Sequence, residues 1–291
     1  MTLAAPPAFE RLDLDLGGLR FEAIALGPAN APLVLFLHGW PSFAASWTAI
    51  MALVAPAGFR AVAVDQRGYS PGARPAEIAD YAVDRLLADI DGFAGALAGD
   101  ARFHLVGHDW GGLIAWAYAA HHPDRLASLA VLSTPHAAAF VEAMRSDPEQ
   151  RRMSAYIGMF RRPGHVAEAA LLGDGARKLR ALYGGKVPAE LVEDNVARLS
   201  AAGALTATLN WYRALDNGLL GLPVAAPTLY VWGDQDLALG ATAARATGKH
   251  VNGPYRFAAL EGRSHWLPEE APEAIANLLL RHLAQHPARP Q

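Results

Sequence analysis

Short apolar runs alternate with segments of helical periodicity through the first half of the chain. The runs are PLVLFLHG, FRAVAVD, RFHLVGHD and LASLAVLST, and two more, PTLYVWGDQD and YRFAALEGRSH, follow late in the sequence. Strands that are apolar at consecutive positions are typical of a parallel sheet covered by helices, because both faces of such a sheet are buried. The pattern therefore predicts an α/β fold with a mostly parallel central sheet covered by helices on both faces.

Two segments near the N-terminus, ERLDLDL and LRFEAIAL, show a different pattern, in which apolar and polar residues alternate. This alternation is typical of antiparallel strands with one buried face. Gly17 and Gly18 join the two segments, and a pair of glycines suits the left-handed backbone of a tight hairpin turn. We therefore expect an antiparallel hairpin ahead of the parallel strands.

The strand signal disappears between residues 137 and 221, where helical spacing and clustered arginines replace it. Glycine or proline interrupts this segment at residues 162–164, 173–175 and 184–185. Open α/β sheets bind ligands at the carboxyl ends of their strands, so an insertion at that edge would cover a pocket. We expect a core of residues 1–136 and 222–291 that contains the sheet, with an inserted helical cap of residues 137–221.

Composition narrows the classes of function. The 291 residues are 52% hydrophobic and 18% charged, with a formal net charge of -3 and no cysteine. A near-neutral chain gives no reason to expect nucleic acid or acidic lipid as a partner, and the absence of cysteine excludes disulfides, thiol catalysis and cysteine-ligated zinc. Residues 1–18 lack the pattern of a secretory signal, and no apolar run is long enough to span a membrane. We expect a cytoplasmic protein.

The stretch VGHDWGG places Asp109 in the middle of a Gly-x-Asp-x-Gly turn between a predicted strand and a predicted helix. Such a turn holds its middle side chain in a strained, exposed position, and the small residues Gly107 and Gly111 let strand and helix approach closely. The helix N-terminus also points backbone N–H groups at the site. The turn predicts a nucleophile at Asp109; the alternative is that Asp109 only caps the helix that begins at Trp110.

A carboxylate nucleophile restricts the chemistry. A free aspartate has a pKa of about 3.9 and is already ionised at neutral pH. Attack on an ester carbonyl would form an anhydride, whereas attack on a saturated carbon that bears a leaving group forms a stable alkyl ester. Epoxides and alkyl halides are substrates of the second kind. The sequence therefore predicts a covalent alkyl-ester intermediate on Asp109, which water must then hydrolyse.

Hydrolysis of that ester needs a base and an acid that orients it. His265, in EGRSHW, follows the last predicted strand, and nucleophile, acid, histidine is one of the chain orders found in hydrolytic triads. WGDQDLAL offers Asp234 and Asp236 as the acid, of which we favour Asp236; the other usual position, after LAVLST, holds no carboxylate. The alternative for His265 is a surface histidine without a role.

The tetrahedral intermediate of ester hydrolysis also needs hydrogen-bond donors for its oxyanion. The backbone N–H of Trp110 is one expected donor. The loop HGWP follows the strand PLVLFL and would supply the N–H of Trp40 as the second, unless the loop is a simple turn. Three further histidines are expected to make structural hydrogen bonds, namely His38, His108 and His136.

The motifs HGWP, DQRGYSPGARP, VGHDWGG, WGDQD and GRSHW extend over nearly the whole chain. Together they resemble the α/β-hydrolase superfamily, and in particular its epoxide hydrolases, whose cap carries two tyrosines that donate protons to the epoxide oxygen. LNWYR is similar to the segment that holds the second of these, which implies Tyr212. FRRPGHVAEA is similar to FQEPGVAEA, which follows the first, and this likeness implies Tyr156. The cap here is shorter than in the longer epoxide hydrolases.

The chemistry explains why such tyrosines would be present. Opening an epoxide produces an alkoxide, which leaves poorly unless it is hydrogen-bonded or protonated as the C–O bond stretches. A tyrosine, with a pKa of about 10, can donate that proton and is itself protonated at neutral pH. Two donors would also orient the ring for attack by Asp109. The alternative is that both tyrosines are half-buried helix residues with their hydroxyls in water.

Two related branches resemble this chain less well. Fluoroacetate dehalogenases carry arginines just after the nucleophile, where this chain has Trp110 and Leu113. Haloalkane dehalogenases often place an asparagine where this chain has Trp40, and a halide needs no proton from tyrosine. We therefore predict hydrolysis of a small apolar epoxide to a diol without a metal or organic cofactor. Haloalkane dehalogenation is the alternative reaction, a protein that only binds a ligand is a further alternative, and a homodimer is left open.

Overall fold

The central sheet of the computed structural model, which describes residues 8–216, 218 and 220–288, contains eight strands. They are β1 (Glu10–Leu16), β2 (Leu19–Leu26), β3 (Leu33–Leu37), β4 (Arg60–Val64), β5 (Phe103–His108), β6 (Leu126–Leu132), β7 (Thr228–Gly233) and β8 (Tyr255–Leu260). Their order in the sheet is β1-β2-β4-β3-β5-β6-β7-β8. β1 and β2 form the antiparallel hairpin, β2 pairs antiparallel with β4, and every other neighbouring pair is parallel. The predicted fold class is confirmed.

Strand β3 illustrates why the apolar runs have no polar positions. All five of its residues are buried. Leu33, Leu35 and Leu37 pack into the core on one face of the sheet, while Val34 and Phe36 pack into the core on the other. Successive side chains of a strand point to opposite faces, so a strand covered on both faces is apolar at every position.

Helices cover the sheet and also form a long segment between β6 and β7. The α-helices are α1 (Thr48–Val54), α2 (Val83–Ala98), α3 (Trp110–His121), α4 (Ala137–Ser146), α5 (Pro148–Met153), α6 (Tyr156–Phe160), α7 (Val166–Ala181), α8 (Ala189–Ser200), α9 (Ala204–Ala214), α10 (Ala241–Ala246), α11 (Leu267–Glu270) and α12 (Pro272–Gln285). Short 3-10 helices lie at Ala44–Trp47, Ala55–Ala57, Pro71–Ala73, Ile78–Tyr81, Pro123–Arg125 and Thr247–His250. Within the described part of the chain, no helix is both long enough and apolar enough to cross a membrane.

Helices α4–α9 lie over the edge of the sheet at which the parallel strands end. Three hydrogen bonds join this segment to loops that follow β3, β4 and β7. They run from Tyr183 Oη to Pro41 O (2.8 Å), from Trp211 Nε1 to Arg67 O (2.8 Å) and from Gln150 Nε2 to Ala238 O (2.9 Å). The helical segment therefore covers the edge where an α/β sheet binds its ligands. The division into a core and a cap of residues 137–221 stays a prediction.

All three predicted interruptions break the helical backbone. Residues 162–164 lie between α6 and α7, and residues 184–185 follow α7. Residues 173–175 fall inside α7, where Gly173 is extended and the backbone from Asp174 to Ala176 is left-handed. Residues 173–176 are therefore not helical, and α7 consists of two helical arms joined by a kink.

The turn between β5 and α3 depends on glycine at two positions. A Cβ atom on Gly107 would lie 2.4 Å from the carbonyl oxygen of Gly111, and one on Gly111 would lie 2.2 Å from the carbonyl oxygen of Leu37 in β3. Both distances are far below van der Waals contact. Because the blocking atoms belong to the backbone, a side chain could be accommodated only by moving the strand or the helix.

We expect Gly111→Ala to lower the free energy of unfolding by about 1–3 kcal/mol, the usual cost of overpacking. Urea denaturation measures this change. Gly95→Ala is the matched control, because Gly95 lies in α2 with no atom within 4 Å of an added Cβ, and it should stabilise the protein by about 0.5–1 kcal/mol. Equal stability of Gly111→Ala and the wild type would contradict the proposed close packing of the turn.

Candidate active site

Asp109 occupies the turn at the end of β5. Its backbone has φ 51° and ψ -118°, a left-handed conformation that costs a non-glycine residue about 1–3 kcal/mol. Its side chain makes no capping hydrogen bond to helix α3. Instead, the carboxylate faces the loop after β3 and a cavity beneath the helical segment. The geometry therefore gives no support to Asp109 as a simple helix cap.

The two expected backbone donors both lie at this carboxylate. The N–H of Trp40 donates to Asp109 Oδ1 over 2.8 Å. The N–H of Trp110, the first residue of α3, also helps to lower the pKa of Asp109. Gly39 makes the approach of the loop possible, because a Cβ atom there would lie 2.3 Å from Asp109 Cβ. Tyr183 fixes the same loop by donating to the carbonyl of Pro41.

His265 lies between two carboxylates. Its Nε2 is 3.5 Å from Asp109 Oδ2, and its Nδ1 donates to Asp236 Oδ2 over 2.9 Å. The side chain of Asp236 is fully buried, and its Oδ1 accepts from the N–H groups of Ala238 (2.8 Å) and Leu239 (3.0 Å). The loops after β5, β7 and β8 thus bring Asp109, Asp236 and His265 together.

Asp234, the other carboxylate considered for the acid, points elsewhere. It is exposed, and its Oδ1 accepts from the N–H of Gly262 over 2.7 Å. That bond ties the loop after β7 to the turn after β8 and leaves Asp234 out of contact with His265. Asp236 is therefore the carboxylate that can orient the imidazole.

Sequence reasoning missed two groups that support the site, Ser133 and Thr134, and it predicted a structural hydrogen bond for His108 without indicating its partner. The carbonyl of His265 accepts from Ser133 Oγ and from His108 Nε2, each over 2.8 Å. Thr134 Oγ1 donates to the carbonyl of Asp109, also over 2.8 Å. These bonds fix the backbone of both residues, but they join positions far apart in the chain, and no local sequence signal indicates them. Of the other histidines, His38 and His136 bind backbone groups away from His265.

The charged groups of the site shift one another's pKa values. Burial alone would raise the pKa of Asp109, but the hydrogen bond to His265 and the charges of His265 and His108 outweigh it and hold that pKa below its ordinary value. Burial alone would lower the pKa of His265, but the charges of Asp236 and Asp109 raise it well above its ordinary value. The resting site therefore holds an ionised Asp109 beside a protonated His265.

We expect Asp236→Asn to lower the pKa of His265, because it removes the largest of the charges that raise it. A raised folded-state pKa gives stability that is complete below the unfolded pKa of about 6.5 and is lost as pH rises through the folded pKa. In Asp236→Asn this loss of stability should therefore occur at a lower pH than in the wild type. An NMR titration of the imidazole measures the shift, and exposed Asp234→Asn is the matched control. An unchanged titration in Asp236→Asn would contradict the pairing.

The carboxylate of Asp109 opens into a cavity of about 550 Å³ under the helical segment. Trp110, Tyr156 and Tyr212 line the cavity beside Asp109. Most of the remaining lining is apolar and includes Leu113, Pro135, Ala137, Phe140, Val141, Met144, Ala155, Ile157, Leu215, Leu220, Ala238 and Leu239. The volume and the apolar lining suit a small organic molecule.

Both cap tyrosines reach this cavity. Their ring centroids are 6.4 Å apart, and Tyr212 is fixed edge-on by Trp40 (5.9 Å), Trp110 (4.8 Å) and Phe160 (5.1 Å). Tyr212 is buried, whereas Tyr156, the first residue of α6, keeps 36% of its surface accessible. Burial, and after it the negative charge of Asp109, raises the pKa of Tyr156, and burial likewise raises that of Tyr212. Both hydroxyls therefore remain protonated donors at neutral pH.

Within residues 8–216, 218 and 220–288, no group of three or more histidine, aspartate or glutamate side chains is arranged to hold a metal ion. The carboxylate of Asp109 and the phenols of Tyr156 and Tyr212 line the cavity, and the imidazole of His265 lies against that carboxylate.

Comparisons with known proteins agree with this architecture. The family model of the α/β hydrolase fold matches residues 32–272. Epoxide hydrolase A of Mycobacterium tuberculosis is 31% identical, over 94% of this chain and 97% of that protein. The AB hydrolase superfamily protein YfhM of Bacillus subtilis is 33% identical, over 93% of this chain and 96% of that protein.

Among solved structures, epoxide hydrolase A of Mycobacterium thermoresistibile superimposes with a TM-score of 0.85 at 28% identity, covering 97% of this chain and 100% of that one. The likeness in sequence and in structure thus extends over nearly the full length of the chain. Taken with the sheet topology and the aspartate at the turn after β5, it places the chain in the α/β-hydrolase family, as a member of its epoxide hydrolase branch.

Proposed function

We propose that the protein hydrolyses epoxides to vicinal diols through a covalent alkyl ester on Asp109. One observation carries the proposal. The two oxygens of this carboxylate have different partners, since Oδ1 accepts from the N–H of Trp40 and Oδ2 faces Nε2 of His265. One oxygen is thus in place to become an ester carbonyl, and the other can attack a substrate in the cavity. The kinship with epoxide hydrolases supports the choice of substrate.

In the first step, Asp109 Oδ2 attacks the less hindered carbon of the epoxide. The C–O bond of the ring breaks, and its electron pair goes to the epoxide oxygen, which takes a proton from Tyr156 or Tyr212. Both phenols line the cavity beside Asp109 and are protonated at neutral pH. Because the two donors share one oxygen, they also hold the ring in line with the attacking carboxylate.

In the second step, His265 takes a proton from water, and the resulting hydroxide attacks Cγ of Asp109. The N–H groups of Trp40 and Trp110 stabilise the oxyanion that forms on Oδ1. Collapse of the tetrahedral intermediate breaks the bond between Cγ and the diol oxygen. Asp236 holds the imidazole with Nδ1 protonated, which leaves Nε2 free to act as the base.

The protons balance over the cycle. Opening of the epoxide leaves one of the two tyrosines as a phenolate. After the ester has formed, His265 loses its Nε2 proton, which restores that phenol by way of solvent, and hydrolysis of the ester then returns one proton to His265. The resting site begins with Asp109 ionised and His265 protonated. Esterification removes the negative charge of Asp109, which is one cause of the raised pKa of His265. The imidazole therefore becomes a better-matched base at the step that needs it.

The direct test is an assay for diol with terminal, aryl and internal epoxides, run beside bromoalkanes assayed for halide. We expect diol from at least one class of epoxide and little or no halide, because this chain has Trp40 where haloalkane dehalogenases often place an asparagine that binds the leaving halide. Asp109→Asn and Asp109→Ala should both be inactive. Halide release without diol formation would favour the dehalogenase reaction, and an active Asp109→Ala would overturn the proposed nucleophile.

A further inference from the structure

Two arginines stand at the mouth of the otherwise apolar cavity. Arg151 and Arg161 are exposed, and both belong to its lining. Among the described residues that line the cavity, they are the only cationic side chains, and Asp109 at the floor is the only acidic one. A substrate that enters this cavity therefore meets a positive rim, an apolar wall and a negatively charged nucleophile in that order.

Hydrogen bonds to the backbone hold both guanidinium groups against the cavity wall. Arg151 Nη1 donates to the carbonyls of Met144 and Arg145, each over 3.1 Å, and Arg161 Nη2 donates to the carbonyl of Leu215 over 3.4 Å. Met144 and Leu215 themselves line the cavity. Each guanidinium carries five N–H donors, so most donors on both groups remain available to a ligand.

No carboxylate of the described residues forms an ion pair with either guanidinium. A hydrogen bond from Thr242 is the main cause that lowers the pKa of Asp147, and the nearby charge of Arg151 adds slightly to this lowering. The ion pairs of the helical segment involve other arginines, such as Arg152 with Glu149 and Arg213 with Glu168. Arg151 and Arg161 take part in no ion pair among the described residues. A planar guanidinium matches the two oxygens of a carboxylate, and such pairs are stronger than bonds between neutral groups.

We propose that the substrate is an amphipathic epoxide with a carboxylate at the end of its apolar chain remote from the ring, and that Arg151 and Arg161 bind this carboxylate. The proposal rests on the proposed epoxide hydrolysis and refines its substrate class. It agrees with Trp110 and Leu113 next to Asp109, since those residues disfavour a carboxylate only beside the reacting carbon. Apolar side chains such as Phe140 and Ile157 lie along the wall and would contact the chain of the substrate.

Matched substrates test the proposal. One series consists of terminal epoxides with a carboxylate at the far end of saturated chains of increasing length, and the other of the primary amides of the same acids. The readout is the ratio of kcat/KM for acid over amide at each length. We expect a ratio of about ten once the chain spans from Asp109 to the rim, and a ratio near or below one for shorter chains. High salt should shrink the preference, because the arginines are exposed to solvent.

Variants assign the preference to the two arginines. The double variant Arg151→Gln with Arg161→Gln should lose the preference for the acid, whereas Arg151→Lys with Arg161→Lys should keep part of it. Arg162→Gln is the matched control, because it removes the same charge one residue from Arg161 but outside the cavity lining, and it should retain most of the preference. Turnover of the amide shows that each variant is folded.

The outcomes separate this proposal from the one on which it rests. If the wild type turns over the amides but never prefers the acids, or if the double glutamine variant keeps the full preference, the rim does not bind a carboxylate and epoxide hydrolysis still stands. If the wild type turns over neither series but hydrolyses another terminal, aryl or internal epoxide, the substrate class fails alone; if it hydrolyses no epoxide, the proposed function fails and the substrate class with it.

Discussion

Replacing His265 by glutamine is expected to stop the release of diol while leaving attack by Asp109 intact. His265 supplies the base for hydrolysis, whereas forming the ester needs an ionised carboxylate and a proton donor. A general base contributes about 10²–10⁴-fold to a step such as this hydrolysis. Because the imidazole also lowers the pKa of Asp109, ester formation in the variant should be followed at a pH well above the usual pKa of an aspartate. The N–H groups that contact Asp109 belong to Trp40 and Trp110 and remain in the variant. The covalent ester should therefore accumulate.

Mass spectrometry of the intact His265→Gln protein after mixing with epoxide measures this accumulation. We expect the mass to increase by that of one substrate molecule, with the added mass located on Asp109 after proteolysis. Asp234→Asn, which changes a carboxylate outside the site, should turn over normally and accumulate no ester. Diol release by His265→Gln at the wild-type rate would contradict the role of the histidine.

Removal of both cap hydroxyls, in Tyr156→Phe with Tyr212→Phe, should reduce epoxide opening by about 10³-fold or more. Without a donor, the C–O bond must break to give a free alkoxide in an apolar cavity. Each single variant should lose less, because the remaining phenol still reaches the oxygen, and the two effects should not be additive. Stopped-flow measurement of ester formation follows this first step directly.

Two controls test whether the loss of activity arises because the epoxide oxygen no longer receives a proton. Tyr118→Phe removes a phenol that donates to Asp91 and does not line the cavity, so epoxide opening should be unchanged. Any alkylation of Asp109 by a reactive bromoalkane should survive in the double variant, since bromide leaves without a proton. Equal losses with both substrates would indicate a distorted cavity and contradict proton donation by the tyrosines.

Much of the fold was predictable because burial on two faces leaves a strong signal. Strands such as β3 alternate their side chains between two cores, so every position is apolar and the run stands out in the sequence. The hairpin of β1 and β2 was equally visible, because one-sided burial and the turn at Gly17 and Gly18 mark it. The glycines in the sequence located the break inside α7, but they did not predict whether it is a kink or a helix end, since glycine permits both.

The candidate site was predictable where its residues follow strands. Parallel strands end at one edge, so Asp109, Asp236 and His265 had to lie near one another once the strands were recognised. Tyr156 and Tyr212 came only from the resemblance, since a tyrosine on a helix carries no local mark of function. Hydrogen bonds between residues far apart in the chain were not predictable either, because no local sequence pattern marks them. The pKa shifts were not predictable because they depend on burial and on neighbouring charges.

The positions of Arg151 and Arg161 in the sequence likewise did not indicate that these residues lie at the rim of the cavity. Arg151 belongs to α5, and Arg161 follows α6. Both line the same cavity because backbone carbonyls position them there: Arg151 is held by a carbonyl of α4, and Arg161 by the carbonyl of the residue after α9. A cluster of arginines in the sequence predicts a charged surface, but it does not distinguish the residues that line a cavity from those beside it.

The central claim is that a carboxylate oxygen of Asp109, and not water, bonds to the substrate carbon. A single turnover in ¹⁸O-labelled water with enzyme in excess tests it most directly. If the ester forms and water attacks its Cγ, the label should enter Asp109 and the first diol should carry unlabelled oxygen. Label in the first diol with none in Asp109 would mean that water attacks the epoxide itself, which would contradict the covalent route.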